Sequence, residues 1–429
     1  MDAFRLQSES AYRKLLLNTL ELETEKRDAE WGGLKPPYCL PRLLYIGQPA
    51  VSMTRGGSIL LYRMLQKYPV ERLRVVEANL GASKSNNRLP GVAYDTLNIA
   101  WARLLKTRFH GLYNTYLYAK AAVKSSNHKL DRIVREFRPE SILTVFEGNV
   151  WLIAASLAER FQLPLHIISH DDWSLGSWFP LLLKPWLLRR FRKVYRSAAT
   201  RFCVSPYMAQ DFKMRFGVPG EVLYPLQPPD VSAPGPQLSK TGNKNKTVLT
   251  VAYAGSIYEG YERILFLLAE SLEKLGGRLL IYSANSDALY QNGLVRNNII
   301  IRAPVPPNQI IDKLRNEADV LCAAMSFRAD HLPAMRAAFP SKLADYTATG
   351  LPIIVCGPPT CSLVRWAQEN RGTAQIVCEE RAEAMQAALR QIIEDDSYRA
   401  SLAAESWKKG YEFFSHDVVT AQFYRAISK

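Results

Sequence analysis

Long hydrophobic runs are missing from this chain. No stretch of about 18 uncharged apolar residues occurs in its 429 residues, so no helix is expected to span a membrane. Acidic charge is the scarcer sign. Against 55 Lys and Arg stand 40 Asp and Glu, a formal net charge of +15. That excess attracts polyanions, among them anionic lipid headgroups, sugar nucleotides and nucleic acid. Metal-ligand spacing is also missing. Cys39, Cys203, Cys322, Cys356, Cys361 and Cys378 form no paired pattern. Most sit in apolar, strand-like contexts as small buried hydrophobes, which fits a reduced cytosolic compartment. The opening MDAFRLQSESAYRK is polar and has no apolar core, so a secretory leader is not expected.

What is present describes a folded chain. Hydrophobic residues make up 48% and charged residues 22%, which excludes an intrinsically disordered protein. The length exceeds one ordinary core, and two domains of roughly 200 residues each are expected. The clearest divider is residues 226–246, rich in Pro, Gly, Ser, Asn and Lys. Five parts follow: a helical extension over 1–35, an N-terminal domain over 36–225, the linker 226–246, a C-terminal domain over 247–410, and a last helix over 411–429. That helix is expected to pack back on the N-terminal domain.

Both domains alternate short apolar runs with helical stretches, the pattern of an α/β fold with parallel sheets. In the first, strands are expected near 42–47, 73–77, 141–146, 165–168, 201–204 and 222–224. Helices are expected to run from Gly56 to Lys67, Thr96 to Lys106, Tyr113 to Phe137 and Val150 to Phe161, with 87–94 a loop. In the second, strands are expected at 248–253, 278–282, 299–302, 320–323, 353–356 and 375–377.

Ligands of such sheets bind beyond the carboxyl ends of strands. Three loops of the first domain lie there. One holds Gly56-Gly57 at a helix start, where glycine lets backbone approach a ligand. The others end in Glu147 and in His170-Asp171-Asp172. In the second domain, FPSKLADYTATGLPIIVCGP reads as loop, helix, tight turn and buried strand. Ser341 and Lys342 at that helix start suit an anion, and Asp345 one turn on suits a sugar hydroxyl. A capped surface helix with an exposed lysine would read the same way.

Ser177 to Arg196 interleaves Trp178, Phe179, Leu182, Leu183, Trp186 and Leu187 with Lys184, Arg189, Arg190, Arg192 and Lys193. This stretch, Trp178–Arg196, suits an anionic membrane surface, or else a buried helix with a solvated basic side. Pro185 is expected to interrupt it. No known nucleic-acid module appears and the positive charge reads as spread out, so no nucleic-acid partner is expected.

Taken in order, these motifs resemble the GT-B glycosyltransferases, most nearly glycosyltransferase family 4, over about residues 40–425. The resemblance rests on the Gly-Gly loop after the first strand, His-Asp after a mid-domain strand and CVSPYM before a helix. It continues with Ala254-Gly255-Ser256 opening the second domain, VPPNQIIDKLRNEADVLCAAM, and LADYTATGLPIIV. It implies two Rossmann-like domains facing across a cleft. It also implies transfer of a sugar from a nucleotide-sugar donor, UDP-sugar ahead of GDP-sugar, to a glycan or lipid-linked acceptor, as in polysaccharide or glycoconjugate biosynthesis. The transfer would need no metal or other cofactor, and retention is favoured over inversion. The protein would be cytoplasmic, resting on the membrane periphery.

By position, the resemblance makes His170 and Glu147 catalytic. It gives the donor Gly56, Gly57, Gly255, Ser256, Arg328, Ser341, Lys342 and Asp345. Asp345 matches the second acid of the family's Glu–seven residues–Glu motif, and the first acid's place is Ala337. Where the family has further cations, this chain has Ser256 and Glu259. A catalytically silent GT-B scaffold, or another sugar-nucleotide enzyme on this fold, would show the same departures.

Overall fold

The computed structural model describes residues 40–54, 56–79, 82–99, 107–123, 127–175, 180–229, 231, 248–284 and 296–428. The proposed N-terminal helix, most of the linker, the 100–106 half of one expected helix, and Trp178 and Phe179 lie outside them.

Two parallel sheets with flanking helices form the GT-B fold. The first has seven strands in the order β3-β2-β1-β4-β5-β6-β7: β1 Leu43–Gly47, β2 Leu73–Ala78, β3 Ala93–Leu97, β4 Ser141–Val145, β5 Leu165–Ser169, β6 Thr200–Cys203 and β7 Glu221–Val222. The second has six in the order β10-β9-β8-β11-β12-β13: β8 Thr250–Ala254, β9 Arg278–Tyr282, β10 Ile299–Arg302, β11 Val320–Ala324, β12 Ile353–Cys356 and β13 Gln375–Val377. In each sheet the first strand lies in the middle. Leu43 of β1 pairs Leu73 on one side and Ser141 on the other. Likewise β8 pairs both β9 and β11. The strand order reverses beside β1 and β8, and the loops leaving β1, β4, β8 and β11 diverge there to open a crevice.

The central strands β1, β4, β5, β8, β11 and β12 are buried at every residue. That is why they read as continuous apolar runs. The expected loop over 87–94 and the helix start at Thr96 are corrected by β3, an edge strand whose AYDTL is largely half-exposed. The expected single helix to Phe137 is two, α2 His110–Val123 and α3 His128–Phe137, after α1 Gly56–Leu65. Asn127 accounts for the second start, since its side chain accepts from the N–H groups of Lys129 and Leu130 at 3.1 and 3.4 Å. After α4 Val150–Phe161 comes α5 Lys184–Ser197. Pro185 does not interrupt it, because it sits in the first turn, where its missing N–H costs nothing. Then α6 Pro206–Phe216 completes the first half.

Helices α7 Tyr261–Lys274, α8 Ile310–Glu317, α9 Leu332–Met335, α10 Lys342–Thr347, α11 Ser362–Glu369, α12 Ala382–Glu394 and α13 Asp396–Phe414 belong to the second half. The last helix, α14 His416–Ile427, lies on the first. Phe423 is fully buried, 5.5 Å from the Phe202 ring, and Tyr424 packs edge-on to Tyr68. The two halves meet through rings: Tyr224 lies 5.2 Å from Phe339 and 5.4 Å from Phe414, which lies 5.4 Å from Trp366. Leu226 and Gln227, at the start of the linker, are buried in this junction, and the Gln227 N–H donates to the Phe414 carbonyl at 2.8 Å. Among the described residues no helix is long and apolar enough to cross a membrane. The five described cysteines are free thiols, and four of them are buried.

Candidate active site

The start of α1 is the meeting point. A methyl group on Gly57 would lie 3.1 Å from His170 Nδ1, and one on Gly56 would lie 3.9 Å from the Ser341 hydroxyl. Glycine keeps this approach open. Loops from both halves therefore reach one place: Gly56 and Gly57 after β1, His170 after β5, and Ser341 before α10. Nδ1 of His170 is buried, with no hydrogen-bond partner among the described residues. Burial pushes the ring's pKa down to about 4, so it is neutral at physiological pH and able to accept from a hydroxyl.

Glu147 and Asp171 stand at the ends of β4 and β5. Both carboxyls are exposed at the crevice wall, yet crowded by protein. Crowding holds both above the usual carboxylate range, and each acid gains from an acidic neighbour, Asp171 for Glu147 and Asp172 for Asp171. Asp172 turns away. It binds Arg215 and the Ser174 hydroxyl, so the adjacent aspartates do not converge. Gly148 sits at φ +58°, and any side chain there would overlap Gln48 in the loop after β1.

Across the crevice, Lys342 folds over the end of β8. Its ammonium lies 3.7 Å from the centroid of the Tyr253 ring, donates to the Tyr253 hydroxyl, and reaches the Ser256 carbonyl at 3.4 Å. Gly255, at φ +127°, leaves room for the lysine stem. Among the described residues no carboxylate pairs with this ammonium. Burial without a counter-charge pushes its pKa down to about 7. The helix behind it is short, and the Ser341 side chain makes no capping hydrogen bond.

The remaining residues have other partners. Arg328 is held on the surface by Glu259 at 2.8 Å and by both oxygens of Asp330. Asp345 forms an ion pair at 2.7 Å with Arg63 of α1, whose side chain is 3% exposed. The same Arg63 nitrogen donates to the Leu226 carbonyl at 2.9 Å. Ala337 is buried, and its carbonyl accepts from the Ser205 hydroxyl at 2.6 Å. Ser205 also caps α6, which explains why a serine precedes Pro206.

Two important residues escaped the sequence reading. Arg63 lies inside the first helix, with no local pattern that marks it. Glu77, fully buried at the end of β2, accepts from the N–H groups of Val51 and Ser83, both at 2.9 Å, and so fixes the loop that leads into α1. An acid directly after Val75-Val76, at the carboxyl end of β2, was the available signal. Among the described residues no three His, Cys, Asp or Glu side chains are grouped to hold a metal ion.

The fold and its crevice have the architecture of the GT-B glycosyltransferases. Within it, residues 88–225, the greater part of the first half, match the model of Glycosyltransferase Family 4. Solved structures agree on the fold. HepE of Anabaena, in complex with UDP-glucose, is 13% identical, with 90% of this chain and 99% of that chain covered at a TM-score of 0.63. Sucrose-phosphate synthase of Thermosynechococcus elongatus is 12% identical, with coverage of 89% and 97% and a TM-score of 0.63. WaaG, a glycosyltransferase involved in lipopolysaccharide biosynthesis, is 13% identical, with coverage of 90% and 99% and a TM-score of 0.57. No curated protein matches the sequence.

Proposed function

We propose that this protein transfers a sugar from a nucleotide-sugar donor, UDP-sugar before GDP-sugar, to a glycan or lipid-linked acceptor in polysaccharide or glycoconjugate biosynthesis. One observation carries the reading: Gly56, Gly57, His170 and Ser341 converge on one crevice, with the unpaired Lys342 ammonium on its C-terminal wall. In the transfer, the bond from the anomeric carbon to the diphosphate breaks and a bond to the acceptor oxygen forms. Negative charge grows on the leaving diphosphate, and a fixed cation there lowers the barrier most. Lys342 is that cation, which lets the reaction run without a metal. His170 is neutral and accepts from a sugar hydroxyl, while Glu147 and Asp171 face the acceptor's side. Preference for a UDP-sugar is supported by HepE, a protein of the same fold with UDP-glucose bound. Retention of configuration rests on the family resemblance alone. The protein works in the cytoplasm, with Trp178–Arg196 toward an anionic membrane.

The ion pair between Asp345 and Arg63 favours a second reading, a silent scaffold, because it occupies the acid that the resemblance gives to the ribose. Thermal-shift measurements with UDP, GDP and ADP separate the two. A ligand at about 100 times its dissociation constant adds about 2.7 kcal/mol and raises the melting temperature. UDP should give the largest shift. No shift with any of the three would turn the reading to the scaffold.

A further inference from the structure

The sugar-transfer reading leaves one large concavity unused. It has a volume of about 320 Å³ and lies between α5 and α6, lined by Leu188, Arg189, Arg192, Arg215 and Phe216. Its floor is rigid and apolar. Phe216 packs against Phe191 at 4.8 Å and against Phe212 at 5.2 Å between ring centroids. Its cations are of two kinds. Arg215 is already neutralised by Asp172 and by Asp211 at 2.8 Å. Arg189 and Arg192 are exposed, and among the described residues neither meets a carboxylate. Arg192 donates only to the Arg215 carbonyl, at 3.1 Å. The other cations of α5 differ: Arg190 and Lys193 share Glu159 at 2.8 and 3.1 Å. Two cations of this helix are thus partly compensated by one acid, while Arg189 and Arg192 carry guanidinium groups that meet none among the described residues.

Apolar side chains adjoin them. Trp186 precedes Arg189 by three residues, as Arg189 precedes Arg192, so the three share one helix face. Trp186 is 42% exposed, and Leu182 just before the helix is 78% exposed. The charge of the whole chain points the same way. Residues 36–225 hold 27 Lys and Arg against 12 Asp and Glu, whereas residues 226–429 hold 22 against 21. The excess is therefore not spread out, as the sequence first read, but belongs to the half that carries this pocket. A free small anion needs two or three cations, not a charged half-molecule. An extended anionic surface attracts all of them at once.

We propose that the pocket seats the phosphate of an anionic phospholipid, so that the N-terminal half docks on a membrane with Leu182 and Trp186 against its interface. Arg215 joins the pocket to Asp172, two residues beyond His170. The docked surface then lies beside the loop that serves the acceptor, and in this respect alone the inference rests on the sugar-transfer reading. Guanidinium groups suit phosphate because their donors are paired and always charged.

Flotation of the full chain with phosphatidylcholine vesicles, with and without phosphatidylglycerol, tests it. The wild-type protein should float with the anionic vesicles only, and salt should weaken binding. Replacing both Arg189→Ala and Arg192→Ala should lower partition about 30-fold. Lysine at both positions, which keeps the charge but not the paired donors, should restore only part of it, and Arg390→Ala on the exposed side of α12 should leave it unchanged. Millimolar inorganic phosphate should not release the protein. Equal binding to neutral vesicles, unchanged flotation of the double alanine variant, or release by phosphate alone would overturn the proposal. The double variant should keep its UDP-induced thermal shift. If that shift is missing from the wild type while flotation persists, sugar transfer fails and membrane docking stands.

Discussion

The two halves of this molecule share a strand order and little else. Each threads its first strand through the middle of a parallel sheet and opens a crevice where the order reverses. Their electrostatics differ. The N-terminal half carries the chain's whole positive excess, much of it on exposed helix faces. In the C-terminal half, cations are mostly cancelled nearby: Arg302 and Lys313 by Glu317, Arg315 by Asp312, and Arg328 by Glu259 and Asp330. Lys342 differs in being half-buried on a tyrosine ring, with no acid paired to it among the described residues. One scaffold thus supports two kinds of charge. A broad excess attracts a surface, and a half-buried cation at the crevice wall addresses one anion.

The largest expected effect comes from removing what joins the halves. Asp345→Ala would leave Arg63 buried and unpaired, and should cost about 3 kcal/mol of stability without any nucleotide present. Urea denaturation reads this. If Asp345 served only a ribose, the free protein would be unchanged.

Next comes the lone cation. Lys342→Ala should weaken UDP binding about 10- to 100-fold in calorimetry, with vesicle flotation unaffected. Its pKa adds a signed prediction. The ammonium titrates at about 7 in the folded protein and at about 10.4 in an unfolded chain. Between those values the unfolded chain holds the extra proton, so this lysine's penalty on folding is relieved as pH rises across that window. Donor binding runs the other way, because the diphosphate needs the charged form. At pH 8, binding should take up close to one proton, seen as a dependence of the calorimetric heat on the buffer's ionisation enthalpy. Lys342→Arg should abolish the uptake.

The smallest effect is reserved for Arg328. It lies on the surface in an ion-pair triad, so Arg328→Ala should move the melting temperature by no more than about 1 °C. UDP affinity should stay within about two-fold, and a larger loss would mean that the C-terminal half presents two cations to its ligand.

Much of this arrangement is legible in the sequence. Buried parallel strands are apolar on both faces, so β1, β4, β5, β8, β11 and β12 stood out as runs. Their carboxyl ends then marked Gly56, Gly57 and His170, and a helix start marked Ser341 and Lys342. Edge position hid β3, because a half-exposed AYDTL carries no apolar run. Asn127 hid a helix start inside what looked like one long helix. The partners of the site residues were harder still. Arg63 and Asp345 lie 282 positions apart, and the pairing depends on how two domains meet, which local patterns do not encode. The same holds for Ser205 and the Ala337 carbonyl. The charge asymmetry was legible, but only by counting each half separately.

Arg63 has a mechanical consequence. Its side chain holds Leu226 and Asp345, while its carbonyl lies 2.9 Å from His416 Nε2. Four distant segments of the chain are thus tied together at one residue beside the junction of the two halves. A change at this one side chain is therefore felt at once by the first helix, the start of the linker, the donor-side helix and the last helix.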